Sequence, residues 1–407
     1  MDYNKSKVRF NAYVEQCKQE IIKQFFPNEA HLLNQGNIIL ENNTFGLILT
    51  KDEQQKRKVM NTRLSMIKQK VDHTMRMVEQ IIRINEEMGI SLDFQQVMKF
   101  AVLYHDIGRF EQATWSPSFS DETYKTKIYP NGETFKNHGQ AGKKIFLGNN
   151  FEVDEQYAPI IGETIFHHVN PEENEKTKYQ YGSLSEVRGL NVKEIATGNS
   201  ASLLNEAEWH LVAIITQLVA DIDKVDIFFQ YLTGEIEIFR PYVVDDSQRT
   251  MDEIALDWGI KKEEILDYNE IEEEEYEKME NKKIKIPVET LNLSKLEVPQ
   301  DFKNMFYDYC TQNNEEVKKI WGSIPTLTKI YPKWSYVYAL WWRVGRFIKD
   351  INFYSVLISI EECKLLEEVY KQMPDKYKPL ISEPIDYAIN TLIPQKKGKE
   401  PRLYAKK

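Results

Sequence analysis

Apolar residues recur at helical spacing through most of the chain. Between Asn61 and Ile84 one stripe runs Ile67, Val71, Met75, Val78, Ile82, and a second runs Met66, His73, Met77, Ile81, Ile84. Steps of three and four residues predict one long helix, and two apolar faces predict burial on both sides. The second stripe carries a histidine. Ser91 is placed as the N-cap of a helix running through Val97, Ala101, Tyr104 and His105, with Gly108 as its stop. Asn137 is placed to cap a helix that begins at His138. Apolar positions Ile160, Ile161, Ile165 and Phe166 predict a helix from about Glu155 to His168, closed by Asn170-Pro171. A further helix spans Glu206 to Leu232. Residues 171–202 lack periodicity and are rich in Asn, Glu, Gly and Ser, which predicts a surface excursion.

From Ile236 to Pro299 the pattern weakens. The acidic run Glu272 to Glu275 reads as a solvated helix face. Met251 to Ile265 superficially resembles a helix-turn-helix, but its acidity opposes the phosphate contacts such a motif makes. After Phe302 helical spacing resumes, and Trp334, Tyr338, Trp341, Trp342 and Phe347 form an aromatic stripe suited to core packing. No strand alternation is convincing, so the expected class is all-α. The expected divisions are a helical domain over 1–235 with its core at about 61–232, an acidic insertion over 236–300, a C-terminal helical subdomain over 301–395 and a basic, frayed tail over 396–407.

Composition narrows the classes. The 407 residues, 42% hydrophobic and 29% charged, support packed domains and exclude a long disordered chain. No run of 18 apolar residues occurs and the first residues are polar, so neither a membrane span nor a signal peptide is expected. Three widely spaced cysteines, Cys17, Cys310 and Cys363, fit free thiols in the cytoplasm better than a disulfide frame. A net charge of −10 disfavours stable nucleic acid binding, because phosphate is repelled on average. A small anionic substrate would need a local positive site.

Histidine is scarce, seven in the chain, and five fall in sequence order on or beside predicted helix ends and buried stripes. His73 lies in the long helix, and His105 precedes Asp106 in YHDIGRF. A lone His138 follows, then the pair His167-His168. Downstream, LVADIDKVD sets Asp221 and Asp223 among apolar residues. His31 and His210 stand outside this order and read as structural. Imidazoles with carboxylates, and no thiolates, suit divalent ions such as Mn, Fe, Ni or Zn. A carboxylate between two such ions can bind one with each oxygen, and two metals roughly 3.5–4 Å apart activate water for phosphoryl displacement.

This ordered set resembles the H…HD…D signature of the HD superfamily of metal-dependent phosphohydrolases, over roughly Asn61 to Leu232. Within it the arrangement is similar to the two-metal branch that includes the HD-GYP phosphodiesterases. The resemblance implies an HD-type helical core with His73, His105, Asp106, His138, His167, His168 and Asp221 as ligands of two divalent ions. Asp106 would bridge them, and DIDKVD in related hydrolases favours Asp221 over Asp223. A basic residue three positions after the bridging aspartate contacts the substrate phosphate or metal-bound water in such enzymes. Arg109 occupies that position here, where a guanidinium fork suits phosphate oxygens. Lys224 is a second candidate for substrate binding. The Gly-Tyr-Pro motif is missing, since the chain reads HHVNPEENEKTKYQYG. The acidic ligands of a third metal would fall at Gln69 and Lys224, which cannot serve.

The leading expectation is hydrolysis of a phosphomonoester or phosphodiester, of a nucleotide, with Asp106 and Arg109 as the catalytic pair. Two alternatives stand beside it. The same ligands could serve a di-iron oxygenase of HD type, and the long C-terminal half could belong to a non-catalytic nucleotide-binding regulatory module.

Overall fold

The computed structural model describes residues 2–27, 51–169, 190–200, 203–235, 242–245, 266–267, 283–286, 298–311, 317, 320–321, 335–351, 353–373, 375 and 377–399. They divide into two compact units between Asp226 and Ile227. The first unit is helical. Its elements are α1 (Tyr3–Phe25), α2 (Lys51–Met88), α3 (Leu92–Tyr104), α4 (Ile107–Trp115), α5 (Glu122–Thr126), α6 (His138–Gly148), α7 (Ala158–His167), α8 (Val192–Ile195) and α9 (Glu206–Leu232), the last of which ends beyond the division.

Local chemistry starts these helices where capping residues stand. Asp2 caps α1, its carboxylate accepting from the Asn4 and Lys5 amides. Ser91 Oγ accepts from Phe94 N at the start of α3, and Asn137 Oδ1 accepts from Gln140 N at the start of α6. The long helix predicted from Asn61 to Ile84 is α2, extended at both ends. Of the first stripe Ile67 and Val78 are buried and Val71, Met75 and Ile82 half-buried, and of the second His73, Met77, Ile81 and Ile84 are buried and Met66 half-buried.

One expected stop is corrected. α3 ends at Tyr104, and Gly108 is the second residue of α4 rather than a terminator. The glycine serves a close approach instead. A Cβ there would run into the His138 carbonyl oxygen and sit 3.0 Å from Gly142 N, so only glycine lets α4 lie against α6. α6 in turn packs on α7, where a Cβ on Gly139 would meet the Phe166 and Ile165 carbonyl oxygens at 2.6 and 2.9 Å. At the other end of the core, the buried Ser6 hydroxyl bonds Tyr104 Oη and the Phe151 carbonyl, both at 2.6 Å, pinning α1 to α3.

In the second unit a three-stranded antiparallel sheet of order β1-β3-β2 joins β1 (Tyr242–Asp245), β2 (Leu266–Asp267) and β3 (Lys283–Ile286). Tyr242 pairs with Ile286 and Leu266 with Lys285. The all-α class describes the chain. These strands, of two and four residues, are a local addition that the absence of alternation did not predict, being too short for a period-2 signal to build. The helices here are α10 (Gln300–Thr311), α11 (Ser335–Asp350), α12 (Tyr354–Glu362), α13 (Leu365–Gln372), α14 (Lys378–Tyr387) and α15 (Ile393–Lys399), with a π-helical turn over Ala388–Leu392. Of the aromatic stripe, Trp341 is fully buried against Phe302 and Phe306 and donates from Nε1 to the Leu380 carbonyl at 2.8 Å. Trp342 and Phe347 are half-buried and meet edge to face. α15 continues through Lys399, so the first residues of the expected basic tail are helical. Trp334, the segment Met251 to Ile265, the acidic run Glu272 to Glu275, His31 and residues 171–189 lie outside the described residues.

Candidate metal centre

Four imidazoles converge on one carboxylate inside the first unit. His73 comes from the middle of α2, His105 and Asp106 from the turn between α3 and α4, His138 from the first residue of α6, and His168 from the end of α7. All five side chains are buried.

Asp106 divides them into two pairs. Its Oδ2 lies 3.6 Å from His73 Nε2 and 3.4 Å from His105 Nε2. Its Oδ1 lies 3.2 Å from His138 Nε2 and 3.8 Å from His168 Nε2. Among the described residues the ligand atoms of His73, His105 and Asp106 form one group within 4.8 Å, and those of Asp106, His138 and His168 form another. Asp106 is common to both.

The outer nitrogen of every ring is held by an oxygen. His105 Nδ1 lies 2.7 Å from the Val102 carbonyl and His168 Nδ1 lies 2.7 Å from the Ile165 carbonyl. Carbonyl oxygens only accept, so both Nδ1 atoms carry hydrogen. His73 Nδ1 meets Asp226 Oδ2 at 2.6 Å and His138 Nδ1 meets Asp121 Oδ1 at 2.8 Å, which assigns the same tautomer. The inward Nε2 atoms are thereby left with lone pairs. They face one another, 3.2 Å apart between His73 and His105 and 3.1 Å apart between His138 and His168. Nitrogens that close need either a shared proton or a metal ion between them, and with the carboxylate oxygen they offer the donors a divalent ion takes. The donor set fits a divalent ion on each side of Asp106.

The electrostatics express the same surplus of negative charge and lone pairs. Burial pushes the Asp106 carboxyl up, but the Lys70 ammonium and then His105 outweigh it and hold it well below the usual carboxylate range. Burial and Lys70 pull His73 down, yet Asp223 and Asp226 outweigh them and raise it to about 9. Burial and the Arg109 guanidinium lower His138. Asp121, buried but facing His138 and Arg109, is lowered to about 2.

Asp226 is the outer anchor of His73. Arg76 donates to both its oxygens, from Nε at 2.9 Å and Nη2 at 3.0 Å, and Gln80 Nε2 lies 3.4 Å away. His73, Arg76 and Gln80 follow a spacing of three and four along α2, so one helix face carries all three partners. Asp223 precedes Asp226 by three residues on α9, and its Oδ1 lies 3.2 Å from His73 Nε2, with the side chain 46% exposed.

Two of the expected ligands fall outside both groups. Asp221 is buried, and its Oδ1 accepts from Gln217 Nε2 at 2.8 Å and Lys224 Nζ at 3.3 Å on its own helix. It belongs to neither ligand group. Residues two apart on a helix face roughly opposite ways, and the carboxylate that lies beside His73 Nε2 is that of Asp223. His167 and His168 stand about 100° apart at the end of α7. His168 turns inward, while His167 Nε2 lies 3.6 Å from Glu163 Oε2 and its ring meets Trp209. Burial and the Lys143 ammonium lower His167 to about 4. His210 is half-buried on α9 and outside both groups.

Arg109 stands at the edge of the centre. Its Nε is 4.0 Å from Asp106 Oδ1, and its Nη1 is 3.0 Å from Asp121 Oδ1 and 2.8 Å from Gln112 Oε1. Lys224 is paired with Asp221. Three residues of the site went unread in the sequence. Lys70 Nζ lies 2.6 Å from Asp106 Oδ2, Asp121 braces both His138 and Arg109, and Asp226 anchors His73. A usable signal existed for two of them. Lys70 is one turn before His73, and Asp226 shares a helix face with Asp223.

Residues 71–226 match the family model of the HD domain. Comparison of the chain with curated proteins and with solved structures finds no match.

Proposed function

We propose that this chain hydrolyses a phosphomonoester or phosphodiester of a nucleotide at a dinuclear metal centre, a reading supported by the match of residues 71–226 to the HD-domain family model and by its resemblance to metal-dependent phosphohydrolases. The observation that carries the reading is the division of Asp106, with Oδ2 toward His73 and His105 and Oδ1 toward His138 and His168. His73, His105 and Asp106, with Asp223 beside them, would hold one divalent ion. Asp106, His138 and His168 would hold the other. Such a pair supplies Lewis acidity, lowering the pKa of water and neutralising phosphoryl oxygens.

The chain's own residues supply placement. The carbonyls of Val102 and Ile165 and the carboxylates of Asp226 and Asp121 hold each imidazole in the tautomer that offers Nε2. Arg109, with its side chain 12% exposed and fixed by Asp121, presents a guanidinium beside the bridging carboxylate, where a substrate phosphate would meet it. No helix among the described residues is long and apolar enough to cross a membrane. Free thiols at Cys17, Cys310 and Cys363 support a reducing, cytoplasmic setting.

The test is metal analysis of the purified protein joined to a phosphatase and phosphodiesterase panel under Mn, Fe, Ni and Zn. Asp106→Ala is expected to abolish turnover while far-UV circular dichroism stays helical. Substantial turnover by that variant refutes the assignment. Oxygen consumption by the iron-loaded protein without phosphate release would assign it to the oxygenases instead.

A further inference from the structure

One cation of this site has no part in the ligand arrangement just described. Lys70 stands on α2 one turn before His73, and its Nζ lies 2.6 Å from Asp106 Oδ2. That is the oxygen facing His73 Nε2 and His105 Nε2, so an ammonium and a divalent ion make competing demands on one lone-pair region. Lys70 is also 21% exposed at its side chain, unlike the 4% exposed Asp106, so its stem reaches from the buried carboxylate toward the surface. Phe119 is a second neighbour of that ammonium. Its half-buried ring lies 5.8 Å from Lys70 Nζ and 5.7 Å from the Arg109 guanidinium carbon. Two cations thus flank one aromatic side chain, Lys70 on the Oδ2 side of Asp106 and Arg109 on the Oδ1 side.

We propose that Lys70 couples metal loading to phosphate binding, its ammonium leaving Asp106 Oδ2 when a divalent ion takes that oxygen and then receiving a phosphate oxygen of the substrate. The inference rests on the two-metal phosphohydrolase reading. Its physical basis is charge balance. An ammonium on a flexible four-carbon stem moves readily, whereas the imidazoles, locked at Nδ1, do not. Repulsion by a dication at Oδ2 favours the displaced position of the lysine, and a phosphate dianion favours it further. Linkage then requires reciprocity, so phosphate must tighten metal binding by the same factor by which metal tightens phosphate binding. Arg109, fixed by Asp121, Gln112 and the Phe119 carbonyl, cannot make that exchange.

The experiment is isothermal titration calorimetry on the full chain, with Mn²⁺ alone and then with inorganic phosphate before and after Mn²⁺ loading. Wild type is expected to bind phosphate on the order of tenfold more tightly once loaded. Lys70→Gln is expected to bind Mn²⁺ several-fold more tightly, since the competing cation is gone, and to lose most of the phosphate gain. Lys70→Arg keeps a cation and is expected to stay near wild type on both counts, which keeps the test open should the glutamine variant fold poorly. Lys70→Gln with Mn²⁺ and phosphate affinities unchanged, or with weakened Mn²⁺ binding, overturns the inference, as does Lys70→Arg losing the coupling. Wild type that binds no Mn²⁺ fails at the earlier step and overturns the dinuclear reading itself.

Discussion

Gly108→Ala tests how the fold sets the spacing of the centre. The glycine sits in α4, two residues after Asp106, and its α-carbon faces the backbone of α6 at His138 and Gly142. A methyl group there would collide with the His138 carbonyl oxygen while lying 3.0 Å from Gly142 N and 3.1 Å from the His138 carbonyl carbon. All three atoms are backbone, so no side chain can swing aside and the two helices must separate. Overpacking of this kind costs about 1–3 kcal/mol, and a backbone obstacle argues for the upper half of that range. The better helix propensity of alanine returns about 1 kcal/mol, which leaves a net loss of roughly 1–2 kcal/mol. For a domain of this size that lowers the melting temperature by about 2–8 °C. Circular dichroism melting reads it directly. Gly148→Ala, at the end of the same α6 with open space around its α-carbon, is the matched control and is expected to melt at or above wild type. The helix separation also carries His138 away from Asp106, whose present separation is 3.2 Å, so Mn²⁺ affinity is expected to fall roughly tenfold. A Gly108→Ala protein that melts with wild type and binds Mn²⁺ equally well would refute the idea that this seam positions the ligands.

The remaining predictions concern α9. Asp223→Ala is expected to weaken Mn²⁺ binding at the His73 side by tenfold or more with little change in melting, whereas Asp221→Ala, which strands the buried Gln217 amide, is expected to lower stability by about 1–3 kcal/mol. Calorimetry and thermal melting on the two variants would show the reverse pattern if Asp221 were the ligand. Asp226→Ala is expected to reduce metal affinity about 10- to 100-fold without removing any ligand, because His73 loses its outer anchor. Unchanged affinity in that variant would deny the anchor its role.

Much of this was readable from residue spacing alone. α2, α3, α6 and α9 announce themselves through apolar periodicity with Ser91 and Asn137 at the expected caps, because these are local signals that tertiary packing reinforces. Of the ordered histidines, His73, His105, His138 and His168 converge with Asp106, and buried imidazoles and carboxylates need a partner of opposite character. What spacing could not decide was phase. His167 against His168, and Asp221 against Asp223, are choices between neighbours whose directions depend on how α7 and α9 are rotated in the core. Gly108 misled for a related reason. A glycine that permits close approach and a glycine that ends a helix look alike in one dimension.

The anchors explain why that rotation matters so much. Each inward Nε2 owes its lone pair to an acceptor on the outer side of the same ring, and two of those acceptors are backbone carbonyls three residues back in the histidine's own helix. For His105 and His168 the tautomer is therefore set locally, by the last turn of α3 and of α7. His73 and His138 depend on distant carboxylates, Asp226 across 153 positions and Asp121 across 17. Each side of Asp106 thus joins one ring fixed by its own helix to one fixed by tertiary packing. A centre built this way cannot be assembled by any single element. Disturbing α2 against α9 spoils the His73 side, and disturbing α6 against the Asp121 segment spoils the His138 side, while Asp106, shared by both, registers either change.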